Sequence, residues 1–584
     1  MLKNIKATNP NSEDQSMHIV YPDRKSFNKT LEEADDNSFD FIVVVTAALN
    51  SVNVSRLKTQ LDECVRVLKS GGVLFVQGRP EYLSELGVHL DRHLNFKYWI
   101  AIESQLQQQR SGLPSVHAAV LLFTKGNGRF HVKRTRFPHQ HCAFCKKTLK
   151  DWGGKAHLMH PAGYTISDVW KDLPEADNYT QLSKPVLETI LRMLDFESST
   201  EGSRSSQEED SLFNHPAPAN VVRGLVGPKE GLAAGRVAEP SAQYKLPGFP
   251  GHKRAYSDVT NEIGDKLFNV VHHGDAVKIL EQYPDNSIDL VFADPPYNLD
   301  KAYHVYDDEQ ADEEYIQWCN AWLREYARIL KPTGSLYVLN LPHWTMYHAA
   351  FLNQQLSFQN WIVWDAMAAP LGKLMPAHYG LLFYTKQPTD FTFNYDELKE
   401  LDARYYCLRR SCIRKRKAQG VDDKMPLTDL WGDIHRIKHK RDRDSHPCQL
   451  PDELMERIIR LSTNEGDIVL DALGGVGTTP VMAVKLGRRY VAIDIDEKYV
   501  RIMRNKIAEV KSKGYVERES IHKLQQEYTK KELQLALRDL AIELGRLPTP
   551  QDVREMSAYS PDIFFEVFPT WSKALKAAKL EVQS

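Results

Sequence analysis

Short apolar runs alternate with longer amphipathic segments through the second half of the chain. The runs are rich in Val, Ile, Leu and aromatic residues, and they lie at 269–275, 288–294, 335–340, 361–366, 380–386, 467–473 and 490–496. Between them, segments such as 313–330 and 453–462 carry apolar residues at the spacing of an α-helix. Strands that alternate with helices are typical of a mostly parallel sheet covered by helices on both faces. The pattern therefore predicts an α/β fold.

Several segments from early in the chain recur later, in the same order and at similar spacing. The pairs are NSFDFIVVVTAALN (37–50) with NSIDLVFADPPYNL (286–299), RVLKSGGVLFV (66–76) with RILKPTGSLYV (328–338), LLFTK (121–125) with LLFYTK (381–386), and ISDVWKDL (166–173) with LTDLWGDI (427–434). Collinear matches of this kind indicate an internal duplication. We therefore predict two copies of one α/β unit.

The first copy differs from the second at two turns. Its tetrapeptide VTAA (45–48) stands where the second copy has DPPY (294–297). It also ends near Phe196, before any counterpart of the glycine-rich segment DALGGVGTT (471–479). We therefore expect the N-terminal copy to be degenerate.

Composition divides the chain into four parts. At about 150 residues per domain, 584 residues suggest several domains. Residues 197–261 are rich in Ser, Glu, Gly and Pro and read as a linker, and short helical patterns follow residue 513. The predicted organisation is a degenerate copy at 1–196, a linker at 197–261, a catalytic copy at 262–513 and a small all-helical domain at 514–584.

Charge and cysteine content narrow the class of protein. Lys and Arg number 75 against 77 Asp and Glu, so a nucleic-acid surface would have to arise from local segregation of charge. We find neither an apolar run of about 20 residues nor a signal-peptide pattern, and so expect no membrane segment. The seven cysteines do not suggest a disulfide framework. A cytoplasmic location is the expectation.

The DPPY turn follows a predicted strand of the second copy, where ligands bind in open parallel sheets. Pro295 and Pro296 stiffen the backbone, and they leave the Asp294 carboxylate and the Pro295 carbonyl as acceptors for an exocyclic amine. Tyr297 offers an aromatic face for a base drawn out of a duplex. The alternative interpretation is a rigid turn with a surface tyrosine.

The glycine-rich turn at 471–479 joins a predicted strand to a helix. Its glycines let the backbone approach a ligand, and the helix offers N–H groups at its start. About 20 residues later, Asp494 ends a strand and is placed like the acid that binds a ribose hydroxyl. The two features together predict a cofactor that contains adenosine.

Both turns, in this order, resemble those of the beta group of amino-methyltransferases, over roughly 267–506. The resemblance implies a Rossmann-like methyltransferase fold and S-adenosyl-L-methionine as cofactor, with Asp294, Pro295, Pro296 and Tyr297 at the target base. The cofactor residues that it implies are Asp275, His446, Pro447, Gln449, Asp471, Leu473, Gly475, Gly477, Thr478, Thr479 and Asp494. This chain departs from the family pattern at Ala472, Leu473, Val476 and Leu450.

A basic segment lies within the predicted recognition region at about 387–445. Tyrosines are interleaved with its basic residues, and no acidic residue lies among them. The basic residues are Arg404, Arg409, Arg410, Arg414, Lys415, Arg416 and Lys417. Such clusters suit contacts with DNA phosphates. The alternative is a solvated charged face.

Cys142 and Cys145 have the spacing of metal ligands. With His157 and His160 they would make a Cys2His2 zinc site. His139 and His141 compete as ligands, and the second copy has Cys407 and Cys412 without equivalent histidines. A pair of reduced loop cysteines is the alternative.

The segment 530–580 resembles the helical repeat associated with homing endonucleases. Its Leu533, Leu537, Leu540, Leu544, Phe564, Phe568, Trp571 and Leu575 read as a core. The predicted groove-facing stretch carries Asp562 and Glu566 where such repeats usually carry arginines. DNA binding and a plain packing role therefore both stay open for this module.

The leading hypothesis is an enzyme that moves a methyl group from S-adenosyl-L-methionine to N6 of a flipped adenine in a specific sequence of double-stranded DNA. The degenerate copy would form an intramolecular pseudo-dimer with the catalytic one, and a cognate restriction endonuclease is a candidate partner. The alternatives are an N4-cytosine or RNA adenine methyltransferase, and a non-catalytic DNA-binding protein.

Overall fold

The computed structural model covers most of both copies and of the C-terminal module. It describes residues 17–20, 31–46, 54–108, 111–126, 133–149, 159–175, 182–195, 267–299, 310–366, 374, 376–398, 400–402, 406–407, 409–421, 424–435, 449–514, 530–557, 559, 561–568 and 570–580. The predicted linker at 197–261 lies outside these residues, as do Arg404, His446 and His157. Within the described part of the chain, no helix combines the length and apolar character needed to cross a bilayer.

The first copy forms a six-stranded sheet in the order β1-β2-β3-β5-β4-β8, and β6 and β7 pair separately. Strands β1, β2 and β3 run parallel, whereas β5 is antiparallel to both β3 and β4. The elements are β1 (Met17–Val20), β2 (Phe39–Val45), α1 (Val54–Val67), β3 (Leu68–Gly78), α2 (Pro80–Asp91), β4 (Asn95–Gln108), β5 (Ser115–Thr124), β6 (Arg136–Phe137), β7 (Tyr164–Thr165), β8 (Val169–Glu175) and α3 (Lys184–Met193).

The second copy forms an eight-stranded sheet in the order β16-β12-β13-β11-β10-β17-β18-β9, and β14 and β15 pair separately. The elements are β9 (Val270–His273), α4 (Ala276–Leu280), β10 (Ile288–Ala293), α5 (Asp312–Ile329), β11 (Leu330–Asn340), α6 (Pro342–Leu352), β12 (Ser357–Asp365), β13 (His378–Thr385), α7 (Tyr395–Leu398), β14 (Glu400–Asp402), α8 (Arg410–Ala418), β15 (Lys424–Pro426), β16 (Leu430–Trp431), α9 (Asp452–Ser462), β17 (Ile468–Asp471), α10 (Thr478–Lys485), β18 (Arg489–Asp494) and α11 (Glu497–Lys513).

The second sheet is mostly parallel, as the apolar runs predicted. Strand β10 pairs in parallel with β11 and β17, and only β13 runs against its neighbours β11 and β12. A strand such as β10 is apolar along nearly its whole length because both faces of a parallel sheet are buried. The predicted α/β fold is confirmed.

The duplication is confirmed strand by strand. The order β2-β3-β5-β4-β8 in the first sheet repeats as β10-β11-β13-β12-β16 in the second. The registers agree, since Val44 pairs with Val76 as Ala293 pairs with Val338. The next residue of β2 is Val45, which is 1% exposed. An apolar side chain thus occupies the position that Asp294 holds in the second copy.

The first sheet is completed differently from the second. Strand β1, from the start of the chain, lies beside β2, whereas the corresponding place beside β10 is held by β17 from late in the second copy. Strand β17 leads into the glycine-rich turn. The described part of the first copy therefore builds an equivalent sheet edge without an equivalent of that turn.

One hydrogen-bond network recurs in both copies. Arg66 donates from Nη1 to Asp36 Oδ1 at 2.6 Å, and Arg328 donates from Nη1 to Asp285 Oδ1 at 2.8 Å. Each arginine lies in the last turn of the helix that precedes the third strand of its copy, and each aspartate lies just before the second strand. Matching contacts at matching positions fix the same strand-to-helix geometry twice.

The two copies pack into one compact unit that covers Met1–Tyr515. A single cluster of buried apolar residues draws side chains from both sheets. Two aspartates make hydrogen bonds between the copies. Asp429 of the second copy accepts one from the Val116 N–H at 2.9 Å, and Asp168 of the first copy accepts one from the Ala377 N–H at 2.8 Å. The exchange is reciprocal, as in a symmetric dimer.

The second compact unit is Val516–Ser584, and its described residues form four helices. Its helices are α12 (Lys530–Leu544), α13 (Pro550–Met556), α14 (Pro561–Val567) and α15 (Trp571–Ala577). A capping box between Thr549 and Asp552 starts α13. Burial of the predicted core is confirmed for Leu533, Leu537, Leu540, Phe564 and Phe568.

Candidate functional site

A pocket opens at the carboxyl ends of β9, β10, β17 and β18. Open parallel sheets bind ligands at this edge because loops diverge from the strand ends there. The DPPY turn and the glycine-rich turn both line it, although they lie far apart in sequence. The predicted residues in its lining are Asp275, Asp294, Pro295, Pro296, Gln449, Asp471, Leu473, Gly475, Thr478, Thr479 and Asp494.

Asp471 ends β17 and anchors the glycine-rich turn. Its Oδ2 accepts a hydrogen bond from Thr479 Oγ1 at 2.6 Å, and its Oδ1 accepts one from the Leu473 N–H at 3.1 Å. Burial raises the pKa of this carboxyl to about 6, although both hydrogen bonds oppose the shift. The side chain therefore closes the turn onto the start of α10.

Asp494 ties the end of β18 to the same turn. Its Oδ2 accepts the Gly475 N–H at 2.8 Å, and its Oδ1 accepts the Asp496 N–H at 2.8 Å. Burial raises the pKa of Asp494 to about 6, these two hydrogen bonds lower it, and the negative charges of Asp471 and Asp496 add to the rise. A cationic ligand would stabilise the ionised form of such a carboxyl.

The glycine at the end of the turn meets two constraints at once. Gly477 has φ +85°, in the left-handed region that L-residues avoid. A Cβ at this position would also lie 2.5 Å from Cγ of Met503, a residue on α11. The turn therefore packs directly on α11, and only glycine fits the contact.

Hydrogen bonds from three described side chains hold the DPPY turn. The Tyr297 hydroxyl donates to Asp294 Oδ1 at 2.7 Å. From neighbouring helices, Tyr315 donates to the Pro296 carbonyl at 2.5 Å and Trp344 Nε1 donates to the Tyr297 carbonyl at 2.9 Å. The turn is thus rigid, and the Asp294 carboxylate is aimed by a neighbouring side chain.

Tyr297 is more enclosed than a surface tyrosine. It is 3% exposed, and its ring lies 5.7 Å from that of Tyr379, centroid to centroid. The alternative of a rigid turn with a surface tyrosine is therefore wrong in its second part. Stacking of Tyr297 on a target base stays a prediction.

The structure places the other predicted cofactor residues differently. Asp275 caps α4 by accepting the Lys278 N–H at 3.0 Å. Gly477 belongs to the glycine-rich turn but is not among the residues that line the pocket, and His446 and Pro447 lie outside the described residues. Sequence reasoning missed Trp318 and Tyr499, which also line the pocket. Tyr499 lies in the first turn of α11, directly after the strand that Asp494 ends, and is therefore predictable from the sequence, whereas Trp318 reaches the pocket only through the packing of α5.

The basic segment forms α8 and the residues before it. Arg410, Arg414, Lys415 and Lys417 are exposed, and Arg409 is half-buried. Arg416 does not fit the predicted DNA surface, because it is 3% exposed and stacks over Tyr406 with 4.7 Å between the guanidinium carbon and the ring centroid. The DNA contact of the exposed residues stays a prediction.

The predicted zinc residues have different neighbours from those expected. Cys142 and Cys145 lie beside Cys407 and Cys412. His160 is not part of this group, since its Nδ1 accepts the Ala162 N–H at 3.1 Å. The prediction that His160 joins Cys142 and Cys145 in a Cys2His2 site is therefore wrong.

Family models match most of the chain. The model described as DNA methylase, of the N6/N4 methyltransferase family, matches residues 52–226 and 288–505 and so reaches into both copies. A methyltransferase domain model matches residues 7–76, and the homing endonuclease associated repeat matches residues 528–581. The predicted resemblances are confirmed.

Similar proteins point to the same family. The chain is 37% identical over 238 residues to the type II methyltransferase M.BamHI of Bacillus amyloliquefaciens. The matched region covers 39% of this chain and 54% of M.BamHI, so the chain spans about half the length of that relative. It is 31% identical over 237 residues to the DNA adenine methyltransferase YhdJ of Escherichia coli (strain K12), covering 39% of this chain and 79% of YhdJ.

Among solved structures, the cytosine-N4-specific PvuII DNA methyltransferase is 18% identical with a TM-score of 0.31, covering 40% of this chain and 84% of its own. The family assignment does not depend on it, because the DNA methylase model alone reaches both copies. This chain belongs to the N6/N4 DNA methylase family.

Proposed function

We propose that this protein transfers a methyl group from S-adenosyl-L-methionine to N6 of adenine in double-stranded DNA. One observation carries the proposal: the DPPY turn and the glycine-rich turn line one pocket. A donor held by the glycine-rich turn would then face an amine held by Asp294 and Pro295. Transfer between bound partners gains its rate chiefly from positioning and charge stabilisation.

The residues around the glycine-rich turn fit this cofactor. When bound, S-adenosyl-L-methionine supplies an electrophilic methyl group on a positively charged sulfur. Asp471 and Asp494 are carboxyls whose pKa burial raises to about 6, so a cationic ligand would offset the cost of ionising them. The carboxylate of Asp494 would accept hydrogen bonds from ribose hydroxyls, and α10 presents N–H groups at its start.

Asp294 would act on the target amine. The amino group of adenine shares its lone pair with the ring, and acceptors on its hydrogens favour a pyramidal, nucleophilic nitrogen. Asp294 and the Pro295 carbonyl would be these acceptors, and the Tyr297 hydroxyl, 2.7 Å from Asp294 Oδ1, would orient the carboxylate. An amine inside a duplex cannot reach the pocket, so the base would flip out and stack on Tyr297.

Adenine is the proposed base for two reasons. In the family that this chain resembles, the tetrapeptide DPPY, here at 294–297, favours adenine over cytosine as the target. YhdJ, 31% identical over 237 residues, is named as a DNA adenine methyltransferase. The test must separate this proposal from three alternatives: methylation of N4 of cytosine, methylation of adenine in RNA, and a DNA-binding protein without catalytic activity.

The test incubates the full-length protein with methyl-deuterated S-adenosyl-L-methionine and, in parallel reactions, with unmodified DNA or unmodified RNA of mixed sequence. After digestion to nucleosides, mass spectrometry should find deuterated N6-methyldeoxyadenosine. Deuterated N4-methyldeoxycytidine would overturn the choice of base, and label in the RNA reaction but not in the DNA reaction would overturn the substrate. Absence of label together with absence of cofactor binding by calorimetry would overturn the enzyme assignment.

A matched pair of variants tests the role of Asp294. Asp294→Ala should abolish methyl transfer while calorimetry still detects cofactor binding, because Asp294 is proposed to act on the amine. Tyr297→Phe keeps the ring but removes the hydrogen bond to Asp294, so it should reduce the rate less than Asp294→Ala does. Unchanged transfer in Asp294→Ala would overturn the mechanism.

A further inference from the structure

Four cysteines from the two copies meet at one point. Cys142 and Cys145 come from the first copy, Cys407 and Cys412 from the second, and all four Sγ atoms lie within 4.8 Å of one another. The Cys142–Cys412 and Cys145–Cys407 sulfur separations are 3.8 Å and 3.6 Å. With zinc–sulfur bonds of about 2.3 Å, the corners of a tetrahedral four-thiolate zinc site lie roughly 3.8 Å apart.

We propose that Cys142, Cys145, Cys407 and Cys412 bind one structural Zn²⁺ that joins the two copies. A tetrahedral set of thiolates suits Zn²⁺, and four protein ligands leave no open position for catalysis. Three of the four cysteines are buried and Cys145 is partly exposed, so a metal here would be enclosed by protein.

The backbone around Cys142 has the form of a metal-binding turn. The Cys142 N–H donates to the Lys147 carbonyl at 2.7 Å, and the Lys146 N–H donates to the Cys142 carbonyl at 2.9 Å, with Lys146 at φ +58°. The N–H groups of Cys145 and Cys407 point at the Cys142 sulfur, 3.5 Å and 3.3 Å away. Backbone donors aimed at sulfur stabilise a thiolate, and such outer contacts orient metal ligands.

A buried arginine compensates the charge of the proposed site. Four thiolates and one Zn²⁺ carry a net charge of about −2. Arg416 Nη1 lies 3.2 Å from both the Cys412 sulfur and the Cys407 carbonyl. A buried guanidinium needs a nearby anion, and the thiolates provide one. This contact also explains why Arg416 turns inward from an otherwise exposed basic helix.

The two cysteine pairs occupy equivalent places in the duplicated unit. Each pair lies between the repeated segments LLFTK or LLFYTK and ISDVW or LTDLW. Each copy therefore contributes two ligands, and neither copy can complete the set alone. The paired sulfurs are separated by 270 and 262 residues along the chain, so a bound metal would close a very long loop.

The first experiment measures metal in the full-length protein, purified under reducing conditions without chelators. Elemental analysis should find one zinc per chain. Protein stripped of metal and reloaded with Co²⁺ alone should show the visible absorption of tetrahedral cobalt and a near-ultraviolet thiolate-to-cobalt band. One iron per chain in place of zinc, or two disulfides in place of a metal, would overturn the proposal.

The second experiment removes one ligand from each copy. Cys142→Ser and Cys412→Ser should each lose most of the zinc, although the two residues belong to different copies. Cys64→Ala is the matched control, since Cys64 is buried in the first copy and lies away from the cluster; it should keep one zinc per chain. If a serine variant fails to fold, the cobalt spectrum of the unaltered protein still decides. The proposal would be overturned if the unaltered protein gave no spectrum of cobalt bound by four sulfurs, or if both serine variants retained zinc.

Discussion

The indole rings of Trp99 and Trp361 stack face to face, with centroids 3.7 Å apart and planes 11° from parallel. They hold the same position in the two copies, because Trp99 pairs with Leu121 across the strands as Trp361 pairs with Leu382. A residue that meets its own counterpart is the mark of a symmetric interface. The two copies therefore associate as the subunits of a dimer would, within a single chain.

This stacking predicts a coupled loss of stability. Trp361→Ala should lower the free energy of unfolding by about 3–5 kcal/mol, because a fully buried indole is removed. Trp99→Ala should cost a similar amount, and the double variant should cost less than the sum because both changes remove one shared contact. Urea denaturation checks the cycle. Strict additivity would mean that the two rings contribute independently.

Cofactor affinity should depend on pH through Asp494. Burial raises its pKa to about 6, and the proposed ribose contact requires the ionised form. The ligand-free protein therefore holds a proton on Asp494 below about pH 6, and that proton must leave on binding. The dissociation constant for S-adenosyl-L-methionine should rise up to about tenfold for each pH unit below this value and stay level above it.

Calorimetric titrations from about pH 5 to about pH 8 test this dependence. Asp494→Asn should bind more weakly and show a smaller slope; Asp471, whose pKa is also raised to about 6, would account for what remains. An equally steep slope in Asp494→Asn would assign the effect to another group. Without ligand the sign reverses: the folded state keeps this proton to a higher pH than the unfolded chain, so unfolding free energy should fall as pH rises between about 4 and about 6.

The glycine-rich turn permits a test with an internal control. Gly477 and Gly466 both have φ +85°, so alanine at either carries the same left-handed cost of about 1–2 kcal/mol. Only at Gly477 would the new Cβ collide with Met503; at Gly466 nothing lies within 4 Å. Gly477→Ala should weaken cofactor binding by at least about tenfold, or about 1.4 kcal/mol. Gly466→Ala should leave that affinity unchanged, and equal losses would mean that backbone strain alone matters.

The exposed face of α8 predicts a salt-dependent loss of DNA affinity. Replacing Arg410, Arg414 and Lys417 together by Gln should weaken binding and reduce the slope of log affinity against log salt by up to about 3, since each phosphate contact contributes about 0.9. Charge removal at Lys184 and Arg501, exposed side chains outside this segment, serves as the control. An unchanged slope in the triple variant would assign α8 to a solvated surface.

Local chemistry made the pocket predictable. The DPPY turn follows an apolar strand, and a glycine-rich turn is followed by an acid at the end of the next strand. Asp294, Asp471 and Asp494 are therefore predictable as site residues from the sequence alone. Trp318 is not predictable in this way, because the apolar pattern of an amphipathic helix does not tell which of its side chains will line a pocket formed by distant loops. The burial of Arg416 is not predictable for the same reason: the charged residues beside it are exposed, whereas its own side chain turns towards Cys412 and the Cys407 carbonyl, which pack against Cys142 of the first copy.

The amino-acid sequence by itself determined the α/β fold, the duplication and the two turns of the pocket, because each depends on periodicity or on residue types within one short segment. Only the tertiary structure decided which distant groups meet: that Val45 fills the place of Asp294, that Trp99 stacks on Trp361, and that two cysteines from each copy share one centre. Such contacts arise where the two sheets pack together, and no local pattern encodes that packing.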